Sequence, residues 1–149
     1  MLETVQTSGR RLSRDDIHEA ESELGLRLPD VYKDFLMRFN GGTPFPERFP
    51  IEGMADNPVG RIQLLFGIDT APDSRNITWN HRVFAGRMPD NLLPIGCTGS
   101  GDVLCLSLYG ADAGEVVLWD FYGEHSPPSY RNVYRIAHDF TAFLQGLQP

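Results

Sequence analysis

Residues 26–42, reading LRLPDVYKDFLMRFNGG, constrain the fold of this chain more than any other stretch. Tyr32, Phe35, Leu36 and Phe39 recur at i, i+3, i+4 and i+7. That spacing places four large apolar groups on one stripe of a helix. Pro29 suits the first turn, because its fixed φ is helical and its missing N–H is no loss there. Asn40-Gly41-Gly42 closes the helix, since glycine accepts the left-handed conformation of a helix end. Burying each of the four side chains is worth roughly 1.5–3 kcal/mol. The core must therefore assemble on this helix.

The segments before and after it supply its partners. Ser13 reads as an N-cap with Asp16 in the capping-box position, and Asp15 and Asp16 suit the positive end of the dipole. Ile17, Ala20 and Leu24 line one face of that first helix, and Gly25 stops it. Residues 1–11 read as a polar tail, with Val5 tucked in. Residues 43–60 carry Pro44, Pro46, Pro50 and Pro58, so they form a structured loop or edge, pinned by Phe45, Phe49 and Ile51. Residues 61–68 read as a strand. Asp73 and Ser74 cap a short helix through Phe84 with Ile77, Val83 and Phe84 inward, and Pro89 ends it.

Residues 92–97, 103–108 and 115–122 are apolar strands separated by the turn chemistry of Thr98–Asp102 and Ala111–Gly114. Consecutive strands on short turns predict an antiparallel meander. Residues 133–136 add a last strand. Asp139 caps a final helix whose Phe140, Phe143, Leu144 and Leu147 repeat the i, i+3, i+4, i+7 stripe. The expected class is α+β: one domain over 1–149, a mainly antiparallel sheet flanked by N-terminal helices and a C-terminal helix.

Charge narrows the choice of partner. The 149 residues hold 13 Lys+Arg against 20 Asp+Glu, a net charge of −7. Phosphate is repelled by such a chain, so nucleic acid is not an expected partner; the charge suits a basic protein, or simply keeps a small domain in solution, as a net charge of this size usually does. Neither an apolar leader in MLETVQTSGRR nor a membrane-length apolar run occurs, so the expectation is a cytoplasmic protein with Cys97 and Cys105 as free thiols.

The chemistry-bearing patterns are sparse. Gly96 to Gly101 lacks the following helix and Gly-Lys-Ser/Thr of a phosphate loop, so it reads as a hairpin turn. His18, His81, His125 and His138 show no ligand spacing and the cysteines form no CxxC, so no metal and no cofactor is expected. No G-x-S-x-G elbow exists, and adjacent Glu124 and His125 do not face each other, so no catalytic residue is assigned and no enzyme is expected. Trp119 reads as a sheet-packing residue, and Asp120 as solvent-facing or turn-bonded. Trp79, Tyr109, Tyr122, Tyr130 and Tyr134 fall near loops or edges, where such side chains anchor interfaces or pack at a rim.

Two acidic sets are candidate partner-binding surfaces. Asp15, Glu19 and Glu23 lie four residues apart on the first helix, where like charges oppose the helix by a few tenths of a kcal/mol per pair. No neighbouring arginine is placed to neutralise them. Asp102, Asp112, Glu115, Asp120 and Glu124 belong to the turns and loops of the meander. Each set is either kept for a basic partner or is an ordinary solvated face.

Leu28-Pro29, Val31-Tyr32-Lys33, Phe35-Leu36 and Asn40-Gly41-Gly42 resemble the opening motif of the SUKH superfamily, which includes the yeast Smi/Knr cell-wall regulators and many bacterial toxin-immunity proteins. The order continues with Pro94-Ile95-Gly96, Gly101-Asp102, Val117, Trp119-Asp120 and Phe140, Phe143, Leu144 and Leu147, across nearly the whole chain. Asp139 stands where the family often has serine, and both residues cap helices. The resemblance implies a non-catalytic binding domain, a monomer or weak homodimer, with these motif residues as fold determinants. Its implied role is to hold a cognate, basic toxin such as a nuclease inactive. The alternative is an intracellular regulatory scaffold of the Smi/Knr type.

Overall fold

A computed structural model describes residues 1–7, 9–54 and 59–149. Pro58 lies outside the described residues. Four helices follow the periodic stretches: α1 (Arg14–Leu24), α2 (Asp30–Phe39), α3 (Ile77–Phe84) and α4 (Phe140–Gln145). Among the described residues are also eight strands: β1 (Thr4–Gln6), β2 (Thr43–Phe45), β3 (Arg48–Pro50), β4 (Val59–Leu65), β5 (Leu92–Thr98), β6 (Val103–Ser107), β7 (Val116–Trp119) and β8 (Val133–Ala137). β3 to β8 form one antiparallel sheet in sequence order, and β1 pairs with β2 in a second, two-stranded one.

The capping box of α1 forms as expected. Asp16 N–H donates to Ser13 Oγ at 3.2 Å, and Ser13 N–H donates back to Asp16 Oδ2 at 2.7 Å. Gly25 ends α1 at φ 68°. On α2, Tyr32, Phe35 and Leu36 are buried, while Phe39 at the last turn is half-buried. Pro29 sits one position outside the helix, in extended backbone at ψ 145°. Phe140 meets both Tyr32 and Phe35 edge-on, with ring centroids 5.1 Å apart in each pair. That contact locks α4 onto α2.

β5, β6 and β7 are buried on both faces, which is why they read as unbroken apolar runs. Leu93, Ile95, Leu104, Leu106, Val116 and Leu118 face the helices in the main core. Leu92, Val103, Cys105, Val117 and Trp119 pack with Met88 in a second cluster, with Phe84 and Val133 at its margin. The segment between β7 and β8 carries short turns at Phe121–Gly123 and Tyr130–Asn132.

Several sequence expectations need correction. Residues 1–11 are not a plain tail: β1 pairs Val5 with Pro44, and Val5 is buried. Alternation along β2 then turns Phe45 outward, at 49% exposure, instead of pinning the loop. The strand expected over 61–68 runs from Val59 to Leu65. The unit at 73–84 breaks into a 3-10 turn (Asp73–Arg75) and α3, and Val83 faces out. The third meander strand stops at Trp119 rather than Tyr122, because Asp120 caps the turn that follows. Among the described residues no helix is long and apolar enough to cross a membrane.

Candidate binding surface

α1 presents Asp15, Glu19 and Glu23 to solvent. Asp16 is already engaged, gripped by Ser13 and by Arg10 through Nη1 and Nη2 at 3.0 and 3.1 Å. Arg10 holds the Asp16 carboxyl well below the usual carboxylate range, with Ser13 helping. The same guanidinium reaches Asp69 at 3.0 Å. Glu23 is not free of arginine as the sequence suggested: Arg82 of α3 meets it at 3.2 Å, both partners being largely exposed. Asp15 and Glu19 have no hydrogen-bond or ion-pair partner among the described residues.

A cleft lies on each side of α1. The α1–α2 cleft, about 510 Å³, has Ile17 and Met37 among its lining and Asp15, Glu21, Asp30 and Asp34 around it. Lys33 stands within it between Glu21 and Asp30, at 3.7 and 3.5 Å. The second cleft, about 270 Å³, runs along Glu19 and Glu23 toward Asp69 and Thr78. Residues 14–34 carry seven acidic side chains against three basic ones, a net −4 within the −7 of the chain.

The second acidic set is dispersed by the topology. The β5–β6 and β6–β7 turns lie at opposite ends of the meander, so Asp102 and Asp112 are far apart along it. Asp112 accepts from Ser107 Oγ at 2.8 Å and Tyr130 Oη at 2.7 Å. Asn91 Nδ2 joins them within 3.1 Å of Asp112, Ser107 and Tyr130 oxygens. Glu115 meets Arg135 at 3.4 Å. Glu124 takes a two-pronged contact from Arg87 at 2.8 and 2.9 Å, which lowers its pKa. Asp102 and Asp120 stay together. Their carboxylates accept the N–H groups of Phe121 and Tyr122, each at 3.1 Å, and neither carries an ion pair among the described residues.

No three His, Cys, Asp or Glu side chains among the described residues are grouped to hold a metal. Burial pushes the Cys105 thiol far above the ordinary thiol range, and that of Cys97 up as well, so neither is poised as a nucleophile. Cys97 lies opposite Val103 and Cys105 opposite Pro94, so the two thiols are not cross-strand partners. His125 hydrogen-bonds Ser129 Oγ at 2.7 Å and Gly123 O at 3.0 Å, turning away from Glu124.

The motif residues act as joints. Asn40 adopts φ 48° and is buried; its Nδ2 donates to Arg10 O and Ile68 O, and its Oδ1 accepts from Ile68 N–H. A Cβ on Gly41 would stand 2.6 Å from Leu65 O, and one on Gly42 would stand 2.3 Å from Gln6 O. Leu28, Pro94, Trp119 and Phe143 are buried, and Gly101 turns the β5–β6 hairpin at φ 94°. Sequence reasoning missed Arg10, Arg82, Arg87, Asn91 and Asn132; their roles depend on distant partners and leave no periodic signal.

Helices packed on an antiparallel meander, with an Asn-Gly-Gly corner closing α2, define an α+β domain. The chain belongs to the SMI1 / KNR4 family (SUKH-1), whose model matches residues 11–146. It is also 26% identical over 153 residues to the SPbeta prophage-derived uncharacterized protein YokK of Bacillus subtilis (strain 168), covering 91% of this chain and 74% of that one.

Proposed function

We propose that this protein is an immunity protein, a non-catalytic binder that holds a cognate protein toxin inactive in the cytoplasm. The observation that carries this reading is the concentration of acid on the α1–α2 hairpin, which holds net −4 of the −7 charge beside a 510 Å³ cleft. A basic enzyme acting on nucleic acid complements that face, and occupying its cationic substrate channel would silence it. The prophage origin in the relative's name fits a protein that travels with the toxin it neutralises.

The test uses the product of the adjacent reading frame. Its association rate with the protein is measured against ionic strength, for wild type and Glu19→Arg. Steering by the acidic face gives a rate that falls steeply with salt, and a several-fold slower rate for the variant at low salt. Glu19 is the right position, because Glu23 already has Arg82 beside it. Association indifferent to both salt and substitution would exclude the α1 face. An adjacent product that is no toxin and does not bind would exclude the immunity role.

A further inference from the structure

The turn after β7 displays two aromatic rings in solvent. Phe121 is 44% exposed and Tyr122 is 82% exposed. The rings meet edge-on with centroids 5.6 Å apart, and Phe121 leans on buried Trp119 at 6.5 Å. A loose loop would fold such rings inward, yet this backbone is tied at every residue. Asp120 N–H donates to Asn132 O at 2.9 Å, Phe121 N–H to Asp102 Oδ1, Tyr122 N–H to Asp120 Oδ1, and Gly123 N–H to Asp120 O. Asn132, itself buried, donates through Nδ2 to Asp120 O at 2.9 Å. The backbone that carries the rings is thus fixed before any partner arrives, so little loop ordering opposes binding.

The charge at their foot sets the chemistry of the partner. Asp102 and Asp120 support consecutive residues of the same turn, and no cation neutralises either one among the described residues. Glu124, three positions on, differs in being saturated by Arg87. Partial burial, and then the charge of Asp120, raise the proton affinity of Asp102. A cation between the two carboxylates relieves that repulsion. Arginine fits better than lysine, since a planar guanidinium stacks on an aromatic face and bridges two carboxylates in one geometry.

We infer that the Phe121–Tyr122 turn is an anchor for an arginine side chain of a protein partner, stacked on Tyr122 and facing Asp102 and Asp120. The inference rests on the binding role proposed above and names the chemistry of the contact. It also separates two tasks. The turn closes the second apolar cluster through Trp119, whereas α1 packs into the main core. The α1 face steers by charge, and the aromatic turn fixes the complex.

Two measurements separate this inference from the immunity role. The first titrates 15N-labelled protein with N-acetyl-arginine methylamide, its lysine counterpart and its citrulline counterpart. The expected result is amide shifts confined to residues 100–102 and 119–124 with arginine, weaker shifts with lysine and none with citrulline, all lost in Tyr122→Ala. Arginine shifts absent from this turn, equal for lysine, or spread over α1, would overturn the inference whatever the partner. The second measures dissociation of the adjacent-frame product from wild type and Tyr122→Ala. Loss of the anchor speeds dissociation about tenfold or more. An unchanged rate would overturn the inference while leaving the immunity role standing. Shifts at the turn without any binding of the adjacent product would remove that role and leave the arginine site. Tyr122 is exposed enough that its removal leaves the fold intact, and its amide spectrum checks this directly.

Discussion

Asn40 shows how much one side chain carries in this fold. It accepts the left-handed conformation that ends α2, and it spends all three of its side-chain hydrogen bonds on backbone 28 to 30 residues away. Gly67 has no room for a side chain because a Cβ would stand 2.4 Å from Asn40 O. Asn40→Ala loses those bonds, strands the Ile68 N–H in a part-buried site and strains φ. The expected cost is about 2–4 kcal/mol in urea unfolding. Asn40→Gly relieves the backbone strain alone and should fall between that variant and wild type. Equal stability of all three would mean that the corner is not a joint. The sequence pointed to Asn40 as a helix stop and a motif residue. Its wider role depends on where Arg10 and Ile68 lie, and no local pattern encodes that.

At the scale of elements, α1 balances two demands. Its capping box and N-terminal acids favour the helix, while Asp15, Glu19 and Glu23 repel one another along its outer face. Glu19→Arg places a cation four residues from an acid on either side. Urea unfolding should therefore find it as stable as wild type or more so, by a few tenths of a kcal/mol. A clear loss would reveal a contact that Glu19 makes in the fold. α1, α2 and the meander were legible because their signals are local: caps, helical stripes and glycine turns. β1 was not, since three residues form a strand only when Thr43–Phe45 arrives from far along the chain. For the same reason Phe45 was placed inside when alternation puts it outside. The acidic face of α1 was legible residue by residue, but Arg82 beside Glu23 was not, because α3 had first to be laid against α1.

Across the whole molecule, ion pairs tie peripheral segments together, and their titration gives the fold an acid edge. Arg10 lowers the pKa of Asp16, and Arg87 lowers that of Glu124. A carboxyl whose pKa is depressed by folding stabilises above its unfolded value and loses that contribution as pH falls through the folded one. Asp102 works the other way: its raised pKa is a penalty at neutral pH that protonation removes. Urea midpoints should thus stay level from pH 7 to 5 and drop below about 4, the ordinary carboxylate range. Glu124→Gln should start lower at pH 7 and drop less on acidification. Parallel profiles for the two proteins would show that the Arg87 pair adds nothing.

The burial of Cys105 beside Met88 has a kinetic consequence. Its sulfur is fully covered and lies 3.8 Å from that of Met88, while Cys97 is only half-covered. A disulfide-exchange reagent therefore reports on two separate openings. Cys97 should react first, through small local fluctuations. Cys105 should react only when the segment from Phe84 to Met88, which packs in its cluster, lifts from the sheet. If that lifting is independent of global unfolding, Cys105 will label faster than the unfolding rate permits, and Glu124→Gln, which cuts one tether of the segment, will quicken it further. A Cys105 rate equal to global unfolding in both proteins would instead make the two apolar clusters a single cooperative unit.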